Sequence, residues 1–297
     1  MNREKKLVMI PQKDFMIRGV LKEYAIRFAF GSFKTLAQTG ILRHDTDPAA
    51  ARLLAGALCS GALISVLLDD EERYSVRLTY PGPVKGMILD ISAQNGLRGF
   101  IQNPHVMTEA HDLDTACGSG CTVALTKSKN GKILNSGQTE SAFIEPEAAL
   151  SYFFSVSDQI ETEIRSEIRF RPDPAAPVEC AAAVMLQALP ECDLDVFNKI
   201  RERLMDDASG AVLAETGVPP EEQLKKLFEY LLCKDAPALD AHETTTPQFV
   251  CSCSAEKLWE TAKVMLGDDD FAKLLAENPD PVIRCQFCNT EHHLPRS

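Results

Sequence analysis

Basic residues are scarce in this chain relative to acidic ones. Its 297 residues include 31 Lys and Arg against 43 Asp and Glu, which gives a formal net charge of −12. A protein of this charge repels phosphate backbones and anionic lipid headgroups at long range. Neither nucleic acid nor a membrane is therefore expected as a partner.

Long apolar runs are also missing. The longest uncharged stretch, residues 53–68, is 16 residues long, whereas a membrane-spanning helix needs ~20. We predict a buried helix here, with Asp47 as its N-cap and Pro48 in its first turn. At the N-terminus only four apolar residues precede Pro11, too few for the core of a signal peptide. A cytoplasmic location is expected.

The chain has no internal repeats and no low-complexity segments. Its hydrophobic content of 45% is enough for at least one buried core, which excludes disorder over most of the chain. Since a domain commonly has ~150 residues, two domains are expected.

Strand and turn patterns dominate the first half of the chain. Residues 74–80 and 84–90 alternate apolar and polar side chains around Pro81-Gly82-Pro83, which predicts an antiparallel hairpin. A second hairpin is predicted around Asn130-Gly131, between residues 122–126 and 132–135. Further predictions are a helix at 146–154, a strand at 159–171 and an apolar segment at 178–189.

Helical patterns follow residue 190. Residues 194–205 and 221–232 are amphipathic, and an apolar stripe on the second helix must cover another apolar surface. The stripe consists of Leu224, Leu227, Phe228, Leu231 and Leu232. Residues 235–247 contain few large apolar side chains and are predicted to be a flexible linker.

Cysteine is the residue type with the most informative placement. Without evidence for secretion, the ten cysteines are interpreted as thiols, metal ligands or redox switches rather than permanent disulfides. Cys59, Cys180, Cys192 and Cys233 stand alone and are expected to be small buried residues. Cys117 and Cys121 enclose Gly-Ser-Gly, and form either a secondary redox or metal-binding pair or two unrelated thiols at a glycine-rich turn.

Four cysteines near the C-terminus have the spacing of a metal site. Cys251 and Cys253 form a C-x-C pair, and Cys285 and Cys288 form a C-x-x-C pair after 31 intervening residues. Two such pairs predict a tetrahedral four-thiolate site, the ligand set that suits Zn²⁺. The tight C-x-C pair could also close into a disulfide once the metal is lost, which suggests redox function, although a purely structural zinc fits the spacing too.

The segment around these cysteines has too few apolar residues for a large core. Structural zinc contributes on the order of 10–16 kcal/mol in small peptides, so loss of the ion is expected to unfold the domain. His292 and His293 follow Cys288 closely and could act as alternative ligands.

With these residues the chain resembles the family of redox-regulated heat-shock chaperones of about thirty-three kilodaltons. The specific match is Cys251-Ser252-Cys253-Ser254 and Cys285-Gln286-Phe287-Cys288-Asn289, with Phe249 two residues before the first cysteine. Weaker similarities are residues 53–68, Gly82-Pro83-Val84, Leu97-Arg98-Gly99-Phe100, residues 152–159 and residues 186–190. Cys117 and Cys121 are absent from the family pattern, which also usually has glycines at the positions of Ala182 and Ala183.

The resemblance implies an α+β fold in three parts. Residues 1–178 would form an antiparallel-sheet core with packed helices and a surface for client proteins. Residues 179–247 would form a helical middle region and linker, and residues 248–297 a small zinc-binding domain.

The resemblance also implies a function without enzymatic activity. In the reduced state one zinc per chain would be held by Cys251, Cys253, Cys285 and Cys288, and the chaperone would be inactive. Peroxide with unfolding stress, or hypochlorite, would form the disulfides Cys251–Cys253 and Cys285–Cys288, release zinc and unfold the domain. The protein would then bind unfolding clients without ATP, and is expected to be a homodimer when oxidised.

Two other functions fit the residues less well. A thiol-disulfide oxidoreductase could use Cys285 and Cys288, but such a motif normally begins a helix, and here it follows the proline-rich residues 278–281. A constitutive zinc-stabilised adaptor would bind its partner equally well with reduced thiols and bound metal.

Overall fold

The computed structural model describes residues 13–294 except Asn95, Ala238, Thr245 and Pro279. Residues 1–12, on which the expectation about a signal peptide depends, lie outside the described residues.

Strands and helices both contribute to the fold, which confirms the predicted α+β class. The strands are β1 (Phe15–Leu21), β2 (Ile26–Ser32), β3 (Glu72–Thr79), β4 (Gly86–Ser92), β5 (Gly96–Ile101), β6 (Cys121–Lys129), β7 (Lys132–Ser141), β8 (Thr162–Phe170), β9 (Val178–Ala188), β10 (Asp240–Thr244), β11 (Gln248–Phe249), β12 (Val282–Arg284) and β13 (Glu291–His293). The helices are α1 (Lys34–His44), α2 (Pro48–Ile64), α3 (Leu113–Cys117), α4 (Pro146–Ser157), α5 (Leu194–Leu204), α6 (Asp207–Leu213), α7 (Pro220–Leu232), α8 (Ala255–Leu266) and α9 (Asp268–Glu277).

Helix α2 forms the centre of the core. The Asp47 carboxylate accepts a hydrogen bond from the Ala50 amide at 3.1 Å, and Pro48 occupies the first turn, as predicted. Residues Pro48–Leu67 are long and apolar enough to cross a membrane, but 83% of the apolar 18-residue window within that stretch is buried inside the fold. The predicted buried helix is confirmed.

One sheet contains both predicted hairpins. Its strand order is β11-β5-β4-β3-β6-β7. Strand β3 pairs antiparallel with β4 and β6, and β6 continues into β7 through Asn130 and Gly131, whose φ angles of 49° and 76° suit a tight hairpin turn. Strand β11 adds to the sheet edge in parallel, with Phe249 opposite Leu97 on β5.

The second sheet separates two apolar cores. Its strand order is β10-β1-β2-β9-β8. Along β2, Ala29 faces the core that surrounds α2, whereas Phe28 and Phe30 face the core beneath helices α5 and α7, because alternate side chains point to opposite faces. Helix α2 contacts both sheets, so the layers are sheet, helices, sheet and the outer helices α5–α7.

Strand β9 spans the predicted boundary between core and middle region. Strand β9 lies between β2 and β8 in the second sheet, although the middle region was expected to begin at residue 179. Residues 178–188 are nearly all buried, and a central strand cannot leave its sheet without breaking two ladders of hydrogen bonds. They therefore belong to the core.

The segment predicted as a flexible linker contains a strand. Strand β10 pairs with β1 at the edge of the second sheet, with Ala241 opposite Gly19. The segment lacks large apolar side chains, but an edge strand is held by backbone hydrogen bonds, which the composition does not reveal. Strands β10 and β11, which follow α7, thus lie at the edges of the five-stranded and six-stranded sheets.

Candidate metal centre

The C-x-C pair follows strand β11 directly. The pairing of Gln248 and Phe249 with β5, and a hydrogen bond of 3.0 Å from the Val250 amide to the Leu97 carbonyl, hold the chain on the core up to Cys251. After Cys253, the Ser254 side chain caps α8. The pair is thus fixed between a strand and a helix.

The C-x-x-C pair occupies the turn between β12 and β13. The Asn289 amide donates to the Cys285 carbonyl at 2.8 Å, and the Cys285 amide donates to the Thr290 carbonyl at 2.9 Å. Asn289 has a φ of 58°, a left-handed conformation that asparagine tolerates better than most residues. This turn directs Cys285 and Cys288 to one side of the hairpin.

The four thiols lie together. The sulfur atoms of Cys251, Cys253, Cys285 and Cys288 lie within 4.8 Å of one another. The Cys251–Cys285 and Cys253–Cys288 sulfur distances are 3.7 Å and 3.4 Å. A tetrahedral site with Zn–S bonds of about 2.3 Å requires sulfurs about 3.8 Å apart. The donor set and spacing can therefore hold a metal ion.

The protein environment affects the four thiols differently. Burial raises the pKa of Cys253 and Cys285, and hydrogen bonds with neighbouring thiols add to this rise. Burial also acts on Cys288, but hydrogen bonds with Thr290 and with the Cys253 and Cys285 thiols together outweigh it and lower the pKa of Cys288 to about 7. The Thr290 hydroxyl lies 3.2 Å from the Cys288 sulfur. Of these three thiols, Cys288 is the one whose pKa is lowered.

An imidazole lies beside the cluster. His292 Nε2 is 3.3 Å from the Cys253 sulfur. The His292 carbonyl accepts a hydrogen bond from the Trp259 indole at 3.3 Å. The adjacent His293 instead contacts the Asp280 carboxylate at 3.1 Å. The structure thus places one of the two predicted alternative ligands next to the thiols.

Arg98 connects the cysteine cluster with the core. Its Nη1 donates to the Cys251 sulfur at 3.4 Å, and its Nε and Nη2 donate to the Asp90 carboxylate at 3.0 and 2.8 Å. The guanidinium also lies 4.2 Å from the centre of the Phe287 ring, inside the C-x-x-C pair. One side chain on β5 therefore contacts Cys251 of the first pair, Phe287 within the second pair and Asp90 on β4 of the same six-stranded sheet.

Besides Arg98, the end of helix α1 also contacts the segment that carries the C-x-x-C pair. His44 Nε2 lies 3.1 Å from the Phe287 carbonyl, and because a carbonyl only accepts, Nε2 carries the proton. Burial lowers the pKa of His44 and favours this neutral form. The side-chain amide of Asn289 (Nδ2) donates a hydrogen bond to the Arg43 backbone carbonyl at 2.9 Å. The end of α1 therefore fixes the C-x-x-C turn.

The other cysteines lie elsewhere in the fold. Cys117 and Cys121 are buried in the core around α2, where burial raises the pKa of Cys117 to about 12 and that of Cys121 to about 11. Both are therefore protonated thiols at neutral pH, a form that reacts slowly. Cys59 and Cys180 are buried as predicted, whereas Cys192 is half-buried and Cys233 is exposed at the end of α7.

Sequence reasoning missed the docking residues. Arg98 belongs to one of the weaker family similarities and received no role, and Arg43 and His44 were not considered. These residues lie far from Cys251 in the chain, and no spacing rule joins a lone arginine to a distant cysteine. The family-like Leu97-Arg98-Gly99-Phe100 was the available signal.

Comparisons with known proteins identify the family. A family model described as Hsp33 protein matches residues 14–295. A 33 kDa chaperonin from Geobacillus kaustophilus is 24% identical, covering 96% of this chain and 95% of that protein. A 33 kDa chaperonin from Enterococcus faecalis is 27% identical, with coverage of 95% and 93%.

A solved structure shares the fold. The crystal structure of the 33 kDa chaperonin from Thermotoga maritima, a heat shock protein 33 homologue, has a TM-score of 0.81 to this chain at 19% identity and covers 95% of each chain. Together with the family match over nearly the whole length, this confirms the resemblance. The chain belongs to the Hsp33 family, whose curated relatives are named chaperonins.

Proposed function

We propose that this protein is a redox-regulated holdase that binds unfolding proteins without ATP and protects them from aggregation under oxidative stress. The family supports a chaperone role with client proteins as partners. The observation that carries the redox regulation is the direct contact of Arg98 with Cys251. Through this contact, oxidation of Cys251 would affect a side chain on strand β5 of the core.

The reduced protein holds one Zn²⁺ through Cys251, Cys253, Cys285 and Cys288. Four sulfurs at these distances suit zinc, which prefers thiolates in a closed tetrahedral site. When bound, the ion neutralises part of the thiolate charge and joins the two cysteine pairs. The chain itself supplies the orientation, through β11 on one side and the β12–β13 turn on the other.

The surface for clients is the apolar face of the second sheet. Phe28 and Phe30 on β2 and Leu186 on β9 face α5 and α7, and Phe228 packs against Phe28 with ring centres 5.0 Å apart. While α5–α7 stay in place, this face is closed to other proteins. Removal of these helices would expose a contiguous apolar patch, a feature that marks protein-binding sites.

Oxidation of the thiols would release this cover. Formation of each S–S bond removes two electrons from a pair of thiolates. One hydrogen peroxide molecule accepts them, its O–O bond breaks and two hydroxide ions are released. Cys251 then carries no charge for the Arg98 hydrogen bond, so the contact that holds the cysteine cluster on β5 weakens. Strand β11, strand β10 and helix α7 follow one another along the chain, so release would proceed through them to the cover.

The proposed disulfides are Cys251–Cys253 and Cys285–Cys288. The shortest sulfur distances instead join the two pairs, Cys251 to Cys285 and Cys253 to Cys288. Disulfides between the pairs would keep the domain closed in place of the metal. Disulfides within each pair leave the C-x-C segment unconnected to the C-x-x-C turn. Only this pairing is consistent with unfolding of the domain. Cys117 and Cys121 take no part, because they are buried and protonated.

The proposal divides the chain into three parts. The core extends through β9, the cover and edge segment comprise residues 189–247, and the metal-binding domain begins at residue 248. A cytoplasmic location and an oxidised homodimer complete the proposal, and sedimentation of both redox forms would test the dimer.

Light scattering of a chemically unfolded client tests the function. Zinc-loaded reduced protein and peroxide-treated protein would be compared at equal concentration, with zinc release followed in the same samples. We expect suppression of aggregation only after oxidation, together with loss of one zinc per chain. Equal suppression in both forms would indicate a constitutive binding protein, the adaptor alternative.

Two further readouts exclude the alternatives. Peptide mapping of the oxidised protein would identify the disulfides. Reduction of insulin disulfides would reveal an oxidoreductase, but the C-x-x-C pair lies in a turn between strands, whereas such enzymes place it at the start of a helix.

A further inference from the structure

His292 lies beside the proposed four-thiolate site, although four sulfurs already complete a tetrahedral ligand set without it. Its Nε2 lies 3.3 Å from the Cys253 sulfur, yet the group of atoms within 4.8 Å of one another consists of the four sulfurs alone. The imidazole therefore lies at one corner of the cluster, beside one particular ligand.

The backbone around His292 is well fixed. His292 lies on β13 opposite Ile283 on β12, and its carbonyl accepts the Trp259 indole hydrogen bond. Trp259 is buried and packs against Phe271 with ring centres 6.1 Å apart. These contacts fix the backbone from which the imidazole reaches Cys253.

Imidazole nitrogen is a zinc donor alongside cysteine sulfur, and structural zinc sites include Cys₃His as well as Cys₄ sets. In the intact cluster, Nε2 lies within hydrogen-bonding distance of the Cys253 sulfur. If that sulfur is withdrawn, Nε2 is the nearest replacement donor at that corner.

Among the described residues, the hydrogen bonds bring no imidazole to the other three sulfurs. His293 points to Asp280, and His44 contacts the Phe287 carbonyl rather than a thiol. Cys251 has the Arg98 guanidinium beside it, which is always charged and cannot bind a metal. The arrangement is thus asymmetric: one cysteine of the C-x-C pair has a potential substitute and the other has none.

We propose that His292 is a reserve metal ligand that replaces Cys253 when this thiolate is lost, giving a site of Cys251, Cys285, Cys288 and His292. The inference rests on the proposed metal centre. Peroxide attack on the Cys253 thiolate forms an S–O bond, breaks the O–O bond and releases hydroxide, leaving a sulfenic acid. His292 then keeps the metal in place, so a single oxidation at Cys253 does not release it.

Cobalt(II) binding to the full-length reduced protein tests this role, because the absorption of tetrahedral cobalt reports the number of thiolate ligands. The wild-type chain is expected to give a four-thiolate spectrum. Cys253→Ala is expected to bind one cobalt in a tetrahedral site with thiolate-to-metal absorption lower by about a quarter, since three thiolates of four remain.

The double variant Cys253→Ala/His292→Phe carries the test. We expect its cobalt affinity to fall by about 100-fold relative to Cys253→Ala, whereas His292→Phe alone should keep the four-thiolate spectrum. Cys251→Ala is the matched control, because its cobalt affinity should be lower than that of Cys253→Ala and should not change when His292→Phe is added. His293→Phe controls for the neighbouring histidine.

The outcomes separate the two proposals. A wild-type chain without tetrahedral cobalt would overturn the metal centre itself. A wild-type four-thiolate spectrum, with equal affinities for Cys253→Ala and its His292→Phe double variant, would overturn only the role of His292. Trp259 emission in the same samples shows whether the domain of the Cys253→Ala variant folds around the metal, and a domain that stays unfolded at saturating cobalt would also overturn the role.

Discussion

Arg98 is the residue that best explains how a change at the thiols could reach the core. It contacts Cys251, Phe287 and Asp90 at once, and its side chain is only 24% exposed. A charge-assisted hydrogen bond in a partly buried place is stronger than one at the surface. In the proposed mechanism, the same guanidinium holds the cysteine cluster on β5 as long as Cys251 is not part of a disulfide.

Substitution of Arg98 should loosen the docking without changing the ligands. Hydrogen bonds to charged groups contribute about 1.5–3 kcal/mol, so in Arg98→Gln we expect the Val250 amide, which bonds to the Leu97 carbonyl, to exchange its hydrogen at least about tenfold faster. Arg73→Gln is the control, because Arg73 also approaches Asp90, at 4.0 Å, and is largely exposed. Unchanged exchange at Val250 in Arg98→Gln would contradict the docking role.

Glu163 makes the contact between core and cover sensitive to pH. Burial raises the pKa of this carboxyl from 4.5 to about 7, despite Arg201 of α5 at 3.8 Å. The folded state thus binds a proton more tightly than the unfolded state, and stability falls as pH rises from about 4.5 to about 7.

Urea unfolding at pH 5 and pH 8 checks this pH dependence. We expect Glu163→Gln to lose less stability than the wild type over this interval, since the glutamine has no proton to lose. Glu179→Gln, an exposed substitution on β9, should behave like the wild type. Identical pH dependence of wild type and Glu163→Gln would show that the carboxyl does not contribute.

The spacing of the cysteines identified the cluster because metal ligands come in short pairs that a local turn can orient. Cys251, Cys253, Cys285 and Cys288 were found in this way, and the structure brings them together. The role of Arg98 was not predicted, because its partner Cys251 is 153 residues away in the sequence. Contacts of this kind depend on the tertiary fold, which local patterns do not encode.

Secondary structure was predictable where a local signal was strong. Helix α2 had a cap and a proline, and β3–β4 and β6–β7 had turn residues, so all were recognised. Strands β1 and β2 were not predicted, because nearly all their residues are buried and they lack the apolar–polar alternation of a half-exposed strand. Helix α1 was not predicted, because no side chain caps its N-terminus. Strand β10 has little apolar character and depends on its neighbour β1.

The cover helix α7 is expected to keep the client surface closed through its apolar stripe. Phe228 is fully buried against Phe28, and removal of a buried phenylalanine costs about 3–5 kcal/mol. We therefore expect reduced, zinc-loaded Phe228→Ala to bind the dye ANS and to suppress client aggregation without oxidant.

Lys225→Ala on the exposed side of α7 is the matched control for this substitution. Zinc content and Trp259 emission should match the wild type in both variants, because the metal-binding domain is untouched. If reduced Phe228→Ala suppressed client aggregation no better than the reduced wild type, the assignment of α7 as the cover would be contradicted.

At the scale of the whole molecule, the metal-binding domain is the part with the least core of its own. Helix α9 has no buried residue, and on α8 only Trp259 is buried. A domain with so little burial is expected to depend on the proposed metal for stability. The rest of the chain folds around two large apolar cores.

Metal removal should therefore unfold one domain and leave the other parts folded. Trp259 is the only tryptophan of the chain, so its emission reports this domain alone. With a strong chelator under reducing conditions, we expect a red shift of the emission and loss of far-UV ellipticity limited to about the contribution of α8 and α9. Zinc addition should reverse both changes, and an unshifted emission after complete metal removal would contradict the proposed dependence.

The central claim is that the thiols control access to the sheet face beneath α5–α7. Hydrogen exchange measured by mass spectrometry, on zinc-loaded reduced protein and on oxidised protein, tests it most directly when client protection is assayed in the same samples. The account predicts that oxidation removes protection from α5–α7 and leaves β3 and β4 protected, in proportion to the client bound. Oxidised protein that binds clients while α5–α7 remain as protected as in the reduced form would contradict it.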